Sequence, residues 1–118
     1  MPHFEKSERL RTSKDFKSVF QRCSKLEDRN FLLYVQFSED PILRKFGVSL
    51  GRALGKANQR NRLKRRLREI YRVEKEHFRG GYQIILIPRR GSADRAYEEI
   101  RHSFLELTKK AGLLPRMR

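Results

Sequence analysis

The sequence predicts a small α+β domain, one mixed sheet carrying helices in the order α-β-β(-β)-α-β-α. Three observations carry that expectation. Apolar residues recur at helical spacing in three separate segments, two runs alternate with a period of two, and a compact apolar block ends at a proline. The 118 residues fit one domain, 1–118, with loose ends expected at 1–12 and 113–118. Leu, Ile, Val and Phe make up about 27% of the chain, above the roughly 20% below which a highly charged chain stays disordered.

The elements follow in order. Thr12, Ser13 and Asp15 are N-cap candidates ahead of Phe16, Val19, Phe20 and Cys23, whose spacing reads as an amphipathic helix at about 13 to 23. Phe31, Leu33, Val35 and Phe37 then share one face of a strand, with Leu32, Tyr34 and Gln36 on the other. Ser38 to Pro41 reads as a turn. Phe46, Val48 and Leu50 alternate with Gly47 and Ser49 in a second strand, expected to hairpin with the first and to have one almost bare face. A loop between Gly51 and Gly55 leads to a long helix, with Asn58 as its expected cap and its end near His77, before Gly80-Gly81, read as a plain turn. Tyr82 to Ile87, closed by Pro88, is a buried strand. Ser92 or Asp94 is expected to cap a last helix carrying Ala96, Ile100, Phe104, Leu107 and Ala111, with Gly112 as its C-cap. The helices are expected on one face of the sheet.

Charge narrows the partner. Lys and Arg number 29 against 14 Asp and Glu, a net charge of +15, which calls for a polyanion. No window approaches the roughly 18 apolar residues of a membrane span, and the first residues lack a signal-peptide apolar region, so no membrane partner and a cytoplasmic location are expected. Cys23 alone excludes an intrachain disulfide framework and a Cys-rich zinc site. Arginine supplies 19 of the cations, and its planar fork grips phosphate bidentately. Nucleic acid is the partner these residues favour.

The charge is also concentrated. Residues 52–75 hold ten cations against Glu69 and Glu74. At about 100° per residue, Leu63, Leu67, Ile70 and Tyr71 form one stripe of the long helix, while Asn61, Lys64, Arg65, Arg68, Arg72 and Lys75 form the opposite one. A solvated face ordinarily mixes signs, as the last helix does with Arg95, Glu98, Glu99, Arg101, Glu106 and Lys109. Like charges at i, i+4 destabilise a helix, so an external anion is the expected compensation.

Protein-borne catalysis finds no support: catalytic residues and metal ligands are both expected to be none. His3, His77 and His102 fall in separate segments, and Asp15, Asp28, Asp40 and Asp94 are scattered in caps and turns. His102 and Glu106 read as a surface pair, and Gly47 to Gly55 lacks the Gly-Lys-Ser/Thr ending of a phosphate-binding loop.

The stretch Lys56-Ala57-Asn58-Gln59-Arg60-Asn61-Arg62-Leu63-Lys64-Arg65-Arg66-Leu67-Arg68-Glu69 resembles the signature of the bacterial ribonuclease P protein subunit. Arg9-Leu10, Asp15-Phe16, Val19-Phe20, Phe31 to Val35 and Gly47-Val48-Ser49 extend the resemblance along nearly the whole chain. Asn58 departs from it, since an apolar residue is common there. The resemblance implies an α/β sandwich with a left-handed β-α-β crossover, similar to the second domain of a small-subunit ribosomal protein. It implies a subunit that helps a catalytic RNA remove the 5′ leader of precursor tRNA, an endoribonuclease whose Mg²⁺ is held mainly by the RNA. Its implied partners are ribonuclease P RNA and the precursor tRNA leader. Arg60, Asn61, Arg62, Lys64, Arg65, Arg68 and Arg72 would meet the RNA subunit. Phe16, Phe20, Tyr34, Arg52, Lys56, Arg89 and Arg90 would line a cleft for the single-stranded leader.

The residues support part of this directly. Tyr34 stands on the strand face opposite Phe31, Leu33, Val35 and Phe37, where the neighbouring strand offers only Gly47 and Ser49, and aromatic rings flanked by cations suit single strands. For Phe16 and Phe20, a place in the core is as good a reading as a place at the ligand. The competing class is a ribosomal or regulatory RNA- or DNA-binding protein that uses the basic helix alone and needs no such cleft.

Overall fold

The computed structural model describes residues 8–10, 12–21, 23–51 and 54–114. Its elements are α1 (Ser13–Gln21), β1 (Ser24–Glu27), β2 (Phe31–Phe37), β3 (Arg44–Val48), α2 (Ala57–Glu74), β4 (Tyr82–Pro88) and α3 (Tyr97–Lys110), with single 3₁₀ turns at Lys75–His77 and Ser92–Asp94. The strands form one mixed sheet in the order β1-β2-β4-β3. It is an α+β fold, as expected, with three helices on a four-stranded open sheet.

β2 and β3 are not a hairpin. β4 lies between them, antiparallel to β2 with Phe31 opposite Pro88 and parallel to β3 with Val48 opposite Leu86. Two parallel neighbours need a crossover, and α2 is that crossover. The β2–β3 connection therefore passes over the start of β4, where Ser38 N–H donates to Gly81 O at 2.9 Å and Gly81 N–H to Leu43 O at 2.8 Å. This gives Gly80 and Gly81 a role beyond a turn. A Cβ on Gly80 would overlap the Pro41 carbonyl oxygen, and Gly81 has φ +82°.

β1 has no apolar alternation to announce it in Ser-Lys-Leu-Glu, yet it pairs along β2 from Ser24 opposite Val35 to Glu27 opposite Leu32. The Asp28 carboxylate turns the hairpin by accepting the N–H groups of Asn30 and Phe31 at 2.8 and 2.9 Å.

The helices occupy both faces of the sheet, not one. Phe31, Leu33, Val35, Phe46, Tyr82, Ile84 and Leu86 meet α2 through Leu63, Leu67, Ile70 and Tyr71, and α3 through Ile100, Phe104 and Leu107. Across the sheet, Ile85 is buried with Val19 and Leu10, and Phe16, Tyr34 and Ile87 pack around them. The pleat explains the split, because residues on alternate sides of β2 and β4 are both apolar, and only a sheet covered twice buries both.

Helix starts differ from expectation in two places. Lys56, not Asn58, is the α2 N-cap, and its N–H donates to Gln59 Oε1 at 2.9 Å; Asn58 lies within the first turn. Ser92 and Asp94 belong to the 3₁₀ turn, and Ala96 is the α3 N-cap. The chain is extended at Arg95 because its Nε is held by Asn30 Oδ1 at 2.8 Å, which interrupts any helix beginning earlier. The ends expected to be loose are also docked where they are described. Leu10 and Leu113 are buried, and Leu113 O accepts the Arg79 N–H at 2.9 Å.

Candidate nucleic-acid interface

α2 docks by Leu63, Leu67, Ile70 and Tyr71, each at most 2% exposed, which fixes the rotation of every cation on it. Asn58, Asn61, Lys64, Arg65 and Arg68 consequently line one shallow concavity on the outward side. The predicted stripe thus exists, with two amendments. Lys75 is withdrawn from it, its Nζ bonding both Glu8 carboxylate oxygens at 2.6 and 2.9 Å in a pair that is almost wholly covered. Arg72 is already clamped by Glu69, through Nε at 3.0 Å and Nη2 at 2.6 Å. Among the seven residues assigned to RNA contact, Arg72 is the one whose charge is answered within its own helix.

Consecutive residues on a helix turn by about 100°, so the Arg-Asn-Arg triplet points three ways. Asn61 faces outward. Arg60 turns toward the end of β3, in a crevice with Val48, Leu50, Ala57 and Lys64 that Asn61 also borders. Arg62 turns to the opposite flank, toward the connection into α3.

One contributor was missed at the level of sequence. Arg9 bridges to Phe46 in parallel pairing, with Leu10 N–H donating to Phe46 O at 3.1 Å, and this places its charge beside α2. The Lys64 ammonium is held below its usual pKa by partial burial first, then by the charges of Arg68 and Arg9. Arg68 is lowered by burial and by Arg9. A cation with a lowered folded pKa binds fewer protons folded than unfolded, so stability rises with pH. At low ionic strength, denaturant midpoints should therefore rise as the pH climbs from neutrality toward the unfolded Lys pKa of about 10.4, and level off above it. Lys64→Gln should flatten that rise, and an equally steep rise in the variant would remove Lys64 as its source.

The cleft lies on the α1 side of the sheet. Thr12, Lys14, Phe16, Lys17, Phe20, Val48, Ser49 and Leu50 surround an open groove of about 730 Å³. Phe20, 42% exposed, is the aromatic wall of the groove, and its ring is backed edge-on by Tyr34, with centroids 4.9 Å apart; Tyr34 itself is not among the residues that line the groove. Phe16 is half-buried and fills the supposedly bare face of β3: a Cβ on Gly47 would sit 2.8 Å from Phe16 Cζ and 2.9 Å from Leu10 Cβ. The open part of that face begins only at Ser49. Phe16 is both core and cleft wall, whereas Phe20 is mainly wall.

The cations assigned to the cleft are brought together only in part. Arg89 continues the α1-side face beyond Ile87 and is tied down, its Nη1 bonding Glu27 Oε1 at 2.9 Å and Asp28 O at 3.2 Å. Arg90 beside it is exposed, as is Lys56 at the head of α2. Arg52 lies outside the described residues. Lys14 and Lys17, which the sequence reading passed over, line the groove. Their signal was present in the helical spacing, with Lys14 three residues before Lys17 and Lys17 three before Phe20.

The two surfaces adjoin. Val48 and Leu50 belong to the groove and also to the crevice that holds Arg60 and Lys64. A nucleic acid could run from the aromatic wall to the basic helix without leaving the protein.

Among the described residues, no helix is long and apolar enough to cross a membrane, and no three His, Cys, Asp or Glu side chains gather as metal ligands.

Known proteins share this sequence pattern and fold. The description of the ribonuclease P protein family matches residues 4–112. The ribonuclease P protein component of Clostridium botulinum (strain Langeland) is 36% identical over 109 residues, covering 92% of this chain and 97% of that protein. That of Petrotoga mobilis is 38% identical over 112 residues, covering 91% and 93%. Among solved structures, the Staphylococcus aureus RNase P protein superposes with a TM-score of 0.84 at 27% identity, covering 93% of this chain and all of that one. The Thermotoga maritima protein gives 0.78 at 32% identity, covering 87% and 96%. The matching signature, its placement on a helix whose cations face outward and the shared fold agree with one another, and the chain belongs to the ribonuclease P protein family.

Proposed function

We propose that this chain is the protein subunit of a ribonuclease P holoenzyme, binding the catalytic RNA by α2 and the single-stranded 5′ leader of precursor tRNA in the groove beside α1. The observation that carries this reading is the continuity of two unlike surfaces through Val48 and Leu50. A protein that only docked α2 on folded RNA would need the basic helix and not the aromatic groove.

The division of labour follows from the side chains. Lys64, Arg65 and Arg68 meet phosphates of structured RNA, where each neutralised phosphate releases counterions. Phe20, backed by Tyr34, offers a ring to unstacked leader bases, while Lys14 and Lys17 in the groove and Lys56 at the head of α2 supply charge for the leader backbone. The chain contributes position and charge. The Mg²⁺ that the resemblance implies is taken to be held mainly by the RNA subunit, where it would activate water and stabilise the leaving oxygen.

The decisive experiment is cleavage of 5′-labelled precursor tRNA at low Mg²⁺ with the protein alone, a bacterial ribonuclease P RNA alone, and both. Cleavage at the mature 5′ end that is strongly stimulated in the mixture is expected. No stimulation would return the protein to general RNA binding. Within that assay, Tyr34→Ala should cost about 1–3 kcal/mol of leader affinity, the usual worth of one stacked base. Equal affinity for leader-bearing and mature tRNA, in wild type and variant alike, would remove the groove from the substrate path.

A further inference from the structure

The third residue of the triplet leads away from both surfaces. Arg62 and Arg66 stand roughly 100° and 140° around α2 from Asn61, facing the connection from β4 to α3. With Gln59 they form one wall of a crevice of about 430 Å³, and Asp94, Arg95 and Tyr97 form the other. Its size falls in the range of roughly 300–1,000 Å³ found for ligand sites.

Arg95 is fixed from behind. Its Nε donates to Asn30 Oδ1 at 2.8 Å and lies 3.4 Å from Glu99 Oε2. Asn30 is 1% exposed and is itself held by its Nδ2 donating to Ser103 Oγ at 2.6 Å. A buried amide that locks one edge of a guanidinium leaves both terminal nitrogens aimed and preorganised, as a binding site requires. Arg62 and Arg66 make no ion pair among the described residues. Three guanidiniums outweigh Asp94 and the Glu99 carboxylate that Arg95 already meets, and Tyr97, 37% exposed, presents a ring at the edge.

We propose that this crevice is a second RNA-backbone site, which takes a phosphodiester of the folded RNA subunit between Arg62, Arg66 and Arg95, with Tyr97 against the adjoining nucleotide. It rests on the reading above that folded RNA is the partner of α2. A strand lying on the Lys64, Arg65 and Arg68 side cannot send the same phosphates around a helix about 10 Å across. The RNA therefore straddles α2 and holds it from two flanks, and Arg62 belongs to the second flank.

The test is binding of the full chain to a bacterial ribonuclease P RNA across a salt series, for wild type, Arg65→Gln, Arg66→Gln, the double variant and Tyr97→Ala, with thermal midpoints as a folding control. Arg66→Gln is expected to reduce the salt slope by a share of the roughly 0.7–0.9 that one neutralised phosphate contributes, because Arg62 and Arg95 still face that phosphate. The losses in Arg65→Gln and Arg66→Gln should add, because the two side chains serve separate contacts. Affinity for a short single-stranded leader should be unchanged in Arg66→Gln. A slope unaltered by Arg66→Gln while Arg65→Gln loses its share would overturn the crevice and leave the family reading standing. A wild-type slope near zero would overturn both. Titration with inorganic phosphate identifies the other source of the same chemistry: saturable binding that is lost in Arg66→Gln without any RNA effect would make the crevice a small-anion site and overturn the RNA proposal.

Discussion

Replacing Lys64, Arg65 and Arg68 together by glutamine should weaken binding to the RNA subunit by roughly 10²–10³-fold at about 0.1 M salt. The estimate follows from counterion release at about 0.7–0.9 log unit per phosphate per decade of salt. Three contacts therefore remove about 2–3 units of salt slope. The three side chains share one outward concavity, and Leu63 and Leu67 hold the helix so that none can rotate inward. Folding should not suffer in parallel. Lys64 and Arg68 are crowded by each other and by Arg9, so neutralising them relieves repulsion, and the thermal midpoint should stay level or rise. Binding measured across a salt series beside a thermal melt separates the two effects. An unchanged slope would mean that the phosphates lie elsewhere, and a loss of binding that simply tracked a fallen midpoint would mean that the substitutions had acted on the fold.

Much of this surface was legible in the sequence because a helix converts spacing into direction. Once Leu63, Leu67, Ile70 and Tyr71 were recognised as the docking stripe, the side of α2 carrying Asn61, Lys64, Arg65 and Arg68 followed from 100° per residue. What the helix alone does not encode is what other segments bring to it. Glu8 removes Lys75 from the exposed set, Arg9 joins it, and both come from a stretch with no periodicity to announce its docking on β3. The sheet was harder still. Strand runs were visible from alternation in β2 and β3, but neighbours in a sheet are chosen by long-range contacts, so the local expectation of a hairpin lost to the insertion of β4. The signature for that insertion was Gly80-Gly81, two residues without side chains where the β2–β3 connection crosses. For the same reason the aromatic wall was only half readable. Tyr34 could be assigned to a face by parity, whereas the seating of Phe16 on Gly47 required knowing that α1 lies over β2 and β4 with the Phe16 ring reaching to β3.

That seating gives the second large effect. Gly47→Val should destabilise the protein by about 1–3 kcal/mol, although valine is favoured in strands and glycine is not. Gly47 has no unusual φ, so backbone strain is not the cause. The cause is space: the new Cβ would stand 2.8 Å from Phe16 Cζ and 2.9 Å from Leu10 Cβ, before either γ-methyl is added. Phe16 yields by swinging its ring into the groove or by tilting α1, and Leu10, met at its Cβ, by lifting the segment that carries Arg9. Either movement of Phe16 alters the groove that it lines with Phe20, so discrimination between leader-bearing and mature tRNA should fall. Lys64, Arg65 and Arg68 are anchored through the opposite face of the sheet, and the salt slope for the RNA subunit should change by no more than the share of Arg9. A double-mutant cycle with Phe16→Ala checks the mechanism, because truncating the ring opens room for the valine. The double variant should then be less destabilised than the sum of the two single changes. Strict additivity would show that Gly47 and Phe16 do not compete for one space, and that the groove owes its shape to something other than their contact.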